Sequence, residues 1–357
     1  MIDTEITAST ETHPRTRRPW WRRLLPVALV VLLATVPYSA LSLPGLLPGP
    51  VNSPGSLQLL ALCLLFAGFA VTYDLLFGHT GLLSFGHALY IAAGSYTVNI
   101  AVTEFGLGLP AALGCVVAVG ILLPLAVGAI ALRVTGIAFA MVTLAFAEVG
   151  SILVLSDPGH VTGGEEGLAL APAAIPDTFA GVANTANLYW LALAYLVLVV
   201  LVVRWAIGSE PGRVWAAIRE NERRVTVLGL HPYRYRLLAF VLASFLATLG
   251  GVVHLFLIGG STPDITTATF TVALIVMTVL GGVGGRWGAI VGGIVYTYLD
   301  HRLAGLASSD AIAGLPDVLR APLSEPQFTL GILFIIVILF LPGGLAGLKD
   351  RVRGRRQ

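Results

Sequence analysis

Charge is what this sequence has least of. Only 11% of its 357 residues are Asp, Glu, Lys or Arg, where soluble domains run near about 25%. Mean hydropathy is +0.88 and 56% of residues are hydrophobic, so a water-soluble globule is excluded and a polytopic membrane protein expected. One lysine, Lys349, stands against twenty arginines, and there is no G-x-x-x-x-G-K-[ST] run. ATP binding by a phosphate loop is therefore excluded. The two cysteines, Cys63 and Cys115, lie in apolar runs and read as small packing residues, not as a disulfide or metal framework. No His/Cys/carboxylate cluster has metal-ligand spacing, no cofactor is expected, and no nucleophile–base constellation stands out. The chain is not expected to be an enzyme, and nothing suggests nucleic-acid binding.

Apolar windows of about 20 residues mark membrane-crossing helices. They fall near 24–43, 56–77, 83–104, 109–132, 135–156, 187–207, 237–258, 269–283, 288–303 and 328–342. The fold class expected is all-α with about ten spans, eight or nine if short ones fail. Charged-then-apolar order at the N-terminus suits a signal peptide too. With many spans following and no clear small-x-small cleavage site, a retained first helix is the better reading.

Seventeen of the twenty-one basic residues lie in three segments: the N-terminal tail, 204–236 and the tail from Lys349. Ten spans place all three on one side, together with Arg133 and Arg286. Asp157, Glu165, Glu166, Asp177, Asp310, Asp317 and Glu325 then fall on the other. Basic loops stay cytoplasmic, so both termini are expected in the cytoplasm. The organisation read is a basic tail over 1–23, one transmembrane domain over 24–348 and a second basic tail over 349–357. The domain carries an external loop over 157–186 and a cytoplasmic loop over 208–236.

Two stretches interrupt the apolar pattern. The first, "YDLLFGHTGLLSFGHALYIAAGSY", carries Asp74, Gly78, His79, Thr80, Gly81, Ser84, Gly86 and His87. The second, "VLGGVGGRWGAIVGGIVYTY", packs four glycines into Gly281–Gly285 and then repeats Gly284, Gly288 and Gly292 every four residues. Such density disfavours continuous helix, while the four-residue row lets helix backbones approach closely. Gly78-x2-Gly81-x4-Gly86 and Gly281-x2-Gly284-x3-Gly288 resemble each other, and Tyr-Thr follows each. An internal duplication is one reading, with discontinuous helices at a translocation site. Backbone leaving the helix at membrane depth must be satisfied by protein or by a water-filled cavity. Thr80, Ser84 and His87 are accordingly expected at or near a water-accessible interior. Asp74 reads as an interfacial carboxylate paired with a basic residue. Glu148, well inside its span, must face protein or water; packing with a hydrogen bond and a place along a polar pathway both remain open.

The loop "GRVWAAIRENERRVTVLGLHPYRYR" predicts one amphipathic helix over 213–228. Its apolar Trp215, Ile218, Val225 and Leu228 stand among Arg213, Arg219, Glu220, Glu222, Arg223 and Arg224. Gly229 supplies a stop and Pro232 bars resumption. The loop serves either as a topogenic basic segment or as a helix presented to a cytoplasmic partner.

These residues together resemble the permeases of branched-chain amino acid ABC importers, specifically the LivM type. That family's G-x-T-G-x-x-S-x-G-H segment is similar to Gly78, Thr80, Gly81, Ser84, Gly86 and His87, followed by Gly94-Ser95-Tyr96. "VTGIAFAMVTLAFAE", ending at Glu148, resembles a second motif. Gly212, Arg213, Ala217 and Ile218 through Arg219, Glu220, Asn221 and Glu222, with Leu228-Gly229 after them, resemble the cytoplasmic one. "TGGEEGL", "GGVGGRWG" and "FLPGGLAGL" complete an ordered set over residues 72–348. His79 stands where tyrosine is usual, Leu82 where glutamine is common and Arg236 where lysine is frequent. The resemblance implies one permease of a bacterial cytoplasmic-membrane importer, paired with a LivH-type permease. Two cytoplasmic ATPase subunits would drive it and an extracytoplasmic binding protein would feed it. It further implies a pathway at Gly78, His79, Thr80, Gly81, Ser84, Gly86, His87, Glu148, Gly281, Gly284 and Gly288, with ATPase coupling through Gly212–Glu222 and Gly229. Urea and short-chain amide permeases share the type, so the substrate class stays open between these and amino acids. An ion-coupled transporter using Asp74 and Glu148 is the other alternative.

Overall fold

The computed structural model describes residues 21–42, 47–171, 179, 184–285, 287–307, 325–340 and 343–347. Residues 1–20 of the N-terminal basic tail, the whole C-terminal one, Arg286, and Asp177, Asp310 and Asp317 of the expected external side lie outside them.

Eleven helices are formed by the described residues: α1 Trp21–Thr35, α2 Pro54–Asp74, α3 His87–Thr103, α4 Leu109–Ala131, α5 Ile137–Leu155, α6 Thr185–Gly208, α7 Glu210–Val227, α8 Pro232–Ile258, α9 Ala268–Gly281, α10 Gly288–Ala307 and α11 Pro326–Phe340. All but α7 coincide with the ten apolar windows. Among the described residues, six stretches are long and apolar enough to cross a membrane: Pro54–Thr80, α4, α5, α6, α8 and Pro326–Gly347. The remaining four are shorter or more polar, so helix lengths alone do not fix the count at ten. The first α-helix ends at Thr35, short of the expected 43, and passes into a 3-10 turn over Val36–Tyr38, where Pro37 has no N–H to continue the α-helical bonding.

The bundle is built around α2, which packs on α6, α8, α9 and α10. Its span is 83% buried against 28% for α4 and for α5, which makes it the central helix. Ser53 starts α2, its hydroxyl accepting the Ser56 N–H, and Pro54 occupies the first turn, where its missing N–H costs nothing. Helices α3 and α8 cross closely. A Cβ on Gly94 would overlap the Thr248 carbonyl, and one on Gly251 the Ile91 carbonyl. In lipid, where apolar burial gives no net drive between helices, such close packing is what holds them together. Tyr90 and Phe240 add an edge-on ring contact at 5.7 Å across the same pair.

On the side opposite α7, strands β1 (Leu168–Ala169) and β2 (Gly260–Ser261) pair antiparallel. The Asn99 amide donates to the Leu168 carbonyl at 2.6 Å, and the Ser95 and Ser261 hydroxyls meet at 2.8 Å. Asp157 closes the loop ahead of β1 by accepting from the Thr162 N–H, the Thr162 hydroxyl and the Gly163 N–H. Those bonds, that from the Thr162 N–H first, hold its carboxyl below the usual carboxylate range. The described part of the expected external loop is thus ordered structure.

Candidate functional site

The first break begins where α2 widens into a π-helix over Leu75–Thr80 and stops at Gly81. Gly81 has φ +74°, and Gly284 in the second break has φ +71°. These are the two glycines that the sequence comparison of the breaks placed opposite each other, and both adopt the left-handed conformation that favours glycine. From Gly81 the chain turns back into α3, so that His87 lies level with Thr72, its Nε2 2.9 Å from the Thr72 hydroxyl.

The break is held mostly by side chains donating to or accepting from its backbone. The Tyr73 hydroxyl donates to the Ser84 carbonyl. The Phe85 N–H donates to the Thr143 hydroxyl, and the Ala88 N–H to that of Thr271. Thr80 donates to the Leu76 carbonyl, and the Ser84 hydroxyl accepts the Gly86 N–H. Backbone that leaves the helix is thereby satisfied by protein. Of the two settings open to the break, enclosed by protein or lining a cavity, Thr80, Ser84 and His87 take the first and are buried; of this stretch Gly81 is exposed and His79 half-buried. Thr143 and Thr271 were not singled out by sequence reasoning. Their only signal is a hydroxyl in an apolar helix, which many membrane helices carry.

The two breaks touch. Asp74 Oδ1 accepts the Gly284 N–H at 2.8 Å across 210 residues of chain, and its other oxygen lies 3.8 Å from His79 Nε2. Among the described residues Asp74 is thus held by a backbone N–H and by His79, with no arginine or lysine within ion-pair distance. A Cβ at Gly78 would collide with the Asp74 carboxylate, and one at Gly281 with the Gly288 carbonyl, so side chains are excluded where the breaks meet.

Helix α7 lies over this junction. Arg219 donates through Nη1 to the Gly78 carbonyl, and a Cβ on Gly284 would stand 3.1 Å from the same nitrogen. Trp215 anchors α7 by donating its indole N–H to the Tyr235 carbonyl at 2.8 Å. Gly212 permits the turn out of α6, since a Cβ there would overlap the Ile207 carbonyl. Ile218 is buried beside them, whereas Arg213, Ala217 and Glu220 are exposed.

The single helix expected over 213–228 is corrected in two ways. It begins earlier, at Glu210, and it is broken at Asn221, whose φ −161° and ψ 103° are extended. The Asn221 side chain accepts the Arg224 N–H at 3.2 Å, capping a second short segment. Glu222 then pairs both carboxylate oxygens with Arg236 at 2.8 and 2.9 Å, tying that segment to the root of α8. Gly229, at φ +80°, ends α7 as expected. Pro232, read as a barrier, is the first residue of α8, a position proline suits.

Two cavities are relevant. One of 510 Å³ beside the junction is lined by Asp74, His79, Arg204 and Gly284 among others. The other, of 790 Å³, lies between α9, α10 and α11, with Phe66, Phe270 and Phe334 in its wall and Asp264, Asp300 and Gln327 towards the β2 side. Glu148 lines neither. It is exposed on α5, away from the other residues expected to share its role. Among the described residues, no group of three or more His, Cys, Asp or Glu could hold a metal ion.

An apolar helical bundle with two clasped glycine breaks under a polar helix has the make-up of a multi-pass membrane transport subunit. Residues 55–341 match the family described as "Branched-chain amino acid transport system / permease component", and the chain belongs to that family. It is 28% identical over 300 residues to the high-affinity branched-chain amino acid transport system permease protein LivM of Escherichia coli K12, covering 77% of this chain and 67% of that one. Identity is again 28% to the Salmonella typhimurium LivM. It is 23% over 331 residues to a probable LivM of Methanocaldococcus jannaschii, covering 81% and 94%.

Proposed function

We propose that this chain is one of two permease subunits of an ATP-driven importer that moves branched-chain amino acids into the cell by alternating access. A LivH-type permease would be its membrane partner, two ATPases its cytoplasmic motors, and an extracytoplasmic binding protein its source of substrate. The setting is the bacterial cytoplasmic membrane, with both termini inside on the distribution of arginine.

The observation that carries the reading is the contact of Arg219 with Gly78 beside Gly284. It gives a cytoplasmic helix a direct hold on both breaks at once. The outer end of α7 is free to receive a motor: Val227 and Leu228 are 88% and 77% exposed beside Arg223 and Arg224. An ATPase groove gripping that apolar tip would move α7, and Arg219 would pass the movement to the junction. The larger cavity favours an amino acid over urea, because aromatic wall and carboxylate rim together suit an apolar solute with an ammonium group. An ion relay through Asp74 and Glu148 gains no support, since the two share no cavity: the first lies at the junction and the second on an outer face.

The test is uptake of radiolabelled leucine into proteoliposomes holding the full complex. Accumulation is expected only with ATP on the motor side and binding protein on the other. Uptake that follows a proton or sodium gradient without the ATPases would overturn the reading.

A further inference from the structure

Glu148 is the twelfth of nineteen residues in α5, about 17 Å from one end of the helix and about 10 Å from the other. It shares a stripe with Met141, Ala145, Ile152 and Leu155, all exposed. Helix α4 shows lipid-compatible residues on its open side (Leu113, Val117, Ile121, Leu125), and α11 does the same (Ile332, Ile335, Leu339). The stripe on α5 differs by one carboxylate at its centre. That carboxylate takes part in no hydrogen bond or ion pair among the described residues.

Hydrocarbon cannot solvate a carboxylate at this depth, so such a group faces protein or water. The described residues of this chain offer no donor, and the opposite side of α5 is already used: Phe139, Ala140, Thr143, Ala147 and Ser151 are buried there, and Thr143 holds the first break. We propose that the α5 face centred on Glu148 is where a second permease-type membrane chain docks, one that places a hydroxyl, amide or basic donor opposite Glu148. The proposal rests on the reading of this chain as one of a permease pair. A single polar contact in an otherwise apolar seam fixes the depth and register of the two chains, as isolated polar positions do in helix pairs. It also sets the partner directly behind the wall of the first break, so that both chains border the junction that α7 moves.

The experiment uses the whole complex in native membranes, with a photo-crosslinking residue introduced at Met141 or Ile152, and at Val117 or Ile335 for comparison. The expected result is adducts with the second permease from positions 141 and 152, at least fivefold above those from 117 and 335. In parallel, Glu148→Gln keeps the pair together, because an amide still accepts a hydrogen bond, while Glu148→Leu lowers the co-purified partner at least threefold. Equal yields at all four positions, adducts between two copies of this chain, or unchanged pairing in Glu148→Leu would each overturn the docking face. If the wild-type chain recovers no second permease at all, the importer reading falls and this proposal with it. If the pair is recovered and active but crosslinks from another face, only the docking face is lost.

Discussion

Replacing Arg219 with alanine removes the side-chain hydrogen bond that joins α7 to the first break. The Gly78 carbonyl it satisfies belongs to a buried residue, and hydrogen bonds to a charged donor are worth about 1.5–3 kcal/mol. Arg219 itself is largely exposed, and water competes for an exposed guanidinium, so the lower end applies. About 1.5 kcal/mol corresponds to about a tenfold shift in the equilibrium that couples α7 to the junction. Trp215 and its bond to Tyr235 are untouched, so α7 keeps its seat and, in the proposed importer, the docking site for the motors is kept. In proteoliposomes holding the full complex, leucine transported per ATP hydrolysed should fall about tenfold, with ATPase activity and subunit recovery near wild type. Arg219→Lys keeps the charge but not the planar fork, and should fall between the two. A transport-to-hydrolysis ratio within twofold of wild type in Arg219→Ala would refute the reasoning.

Three further outcomes are expected. Gly284→Ala forces a side chain into a left-handed φ, costing about 1–2 kcal/mol, and crowds Arg219 and the Gly78 carbonyl at 3.1 Å; the complex should melt earlier in a detergent thermal-shift assay and transport less. Glu222→Ala leaves Arg236, 13% exposed at its side chain, without its carboxylate, so leucine transport should drop while ATP hydrolysis persists; Glu222→Gln should lose less. Asp157 has a carboxyl held low in the folded state, so its contribution is complete above the unfolded value of about 3.9 and is lost as pH falls through the lower folded value. Amide-exchange protection over Asp157–Gly167 should fall at the acid end, and Asp157→Asn should remove that dependence.

Much of this was legible in the sequence, and the residues show why the rest was not. Hydropathy places the long helices because a 20-residue apolar run has few other uses. The breaks are legible too, since glycine at that density opposes helix, and the shared left-handed conformation of Gly81 and Gly284 follows the spacing they share. What sequence does not reveal is that the breaks touch: Asp74 and Gly284 are 210 residues apart, and the bond is to a backbone N–H, which no residue type announces. His79, unexplained by motif, acquires a place beside Asp74 for the same reason. The extended residue inside α7 was hidden because asparagine in mid-helix is only mildly unfavourable until its side chain finds a backbone N–H to cap. The outward direction of Glu148 was hidden because α5 is apolar on both sides, leaving no polar stripe to orient it.

In the proposed importer, α7 and the two glycine breaks move as one unit when the motors close. Spin labels at Ala217 on α7, Leu83 in the first break and Ile130 at the end of α4 test it directly, in the assembled transporter with its native cysteines replaced. Pulsed dipolar distances should show the 217–83 separation unchanged between nucleotide-free and ATP-trapped states, while 217–130 and 83–130 shift together. A 217–83 distance that changes with nucleotide while 83–130 stays fixed would show that α7 moves without the breaks.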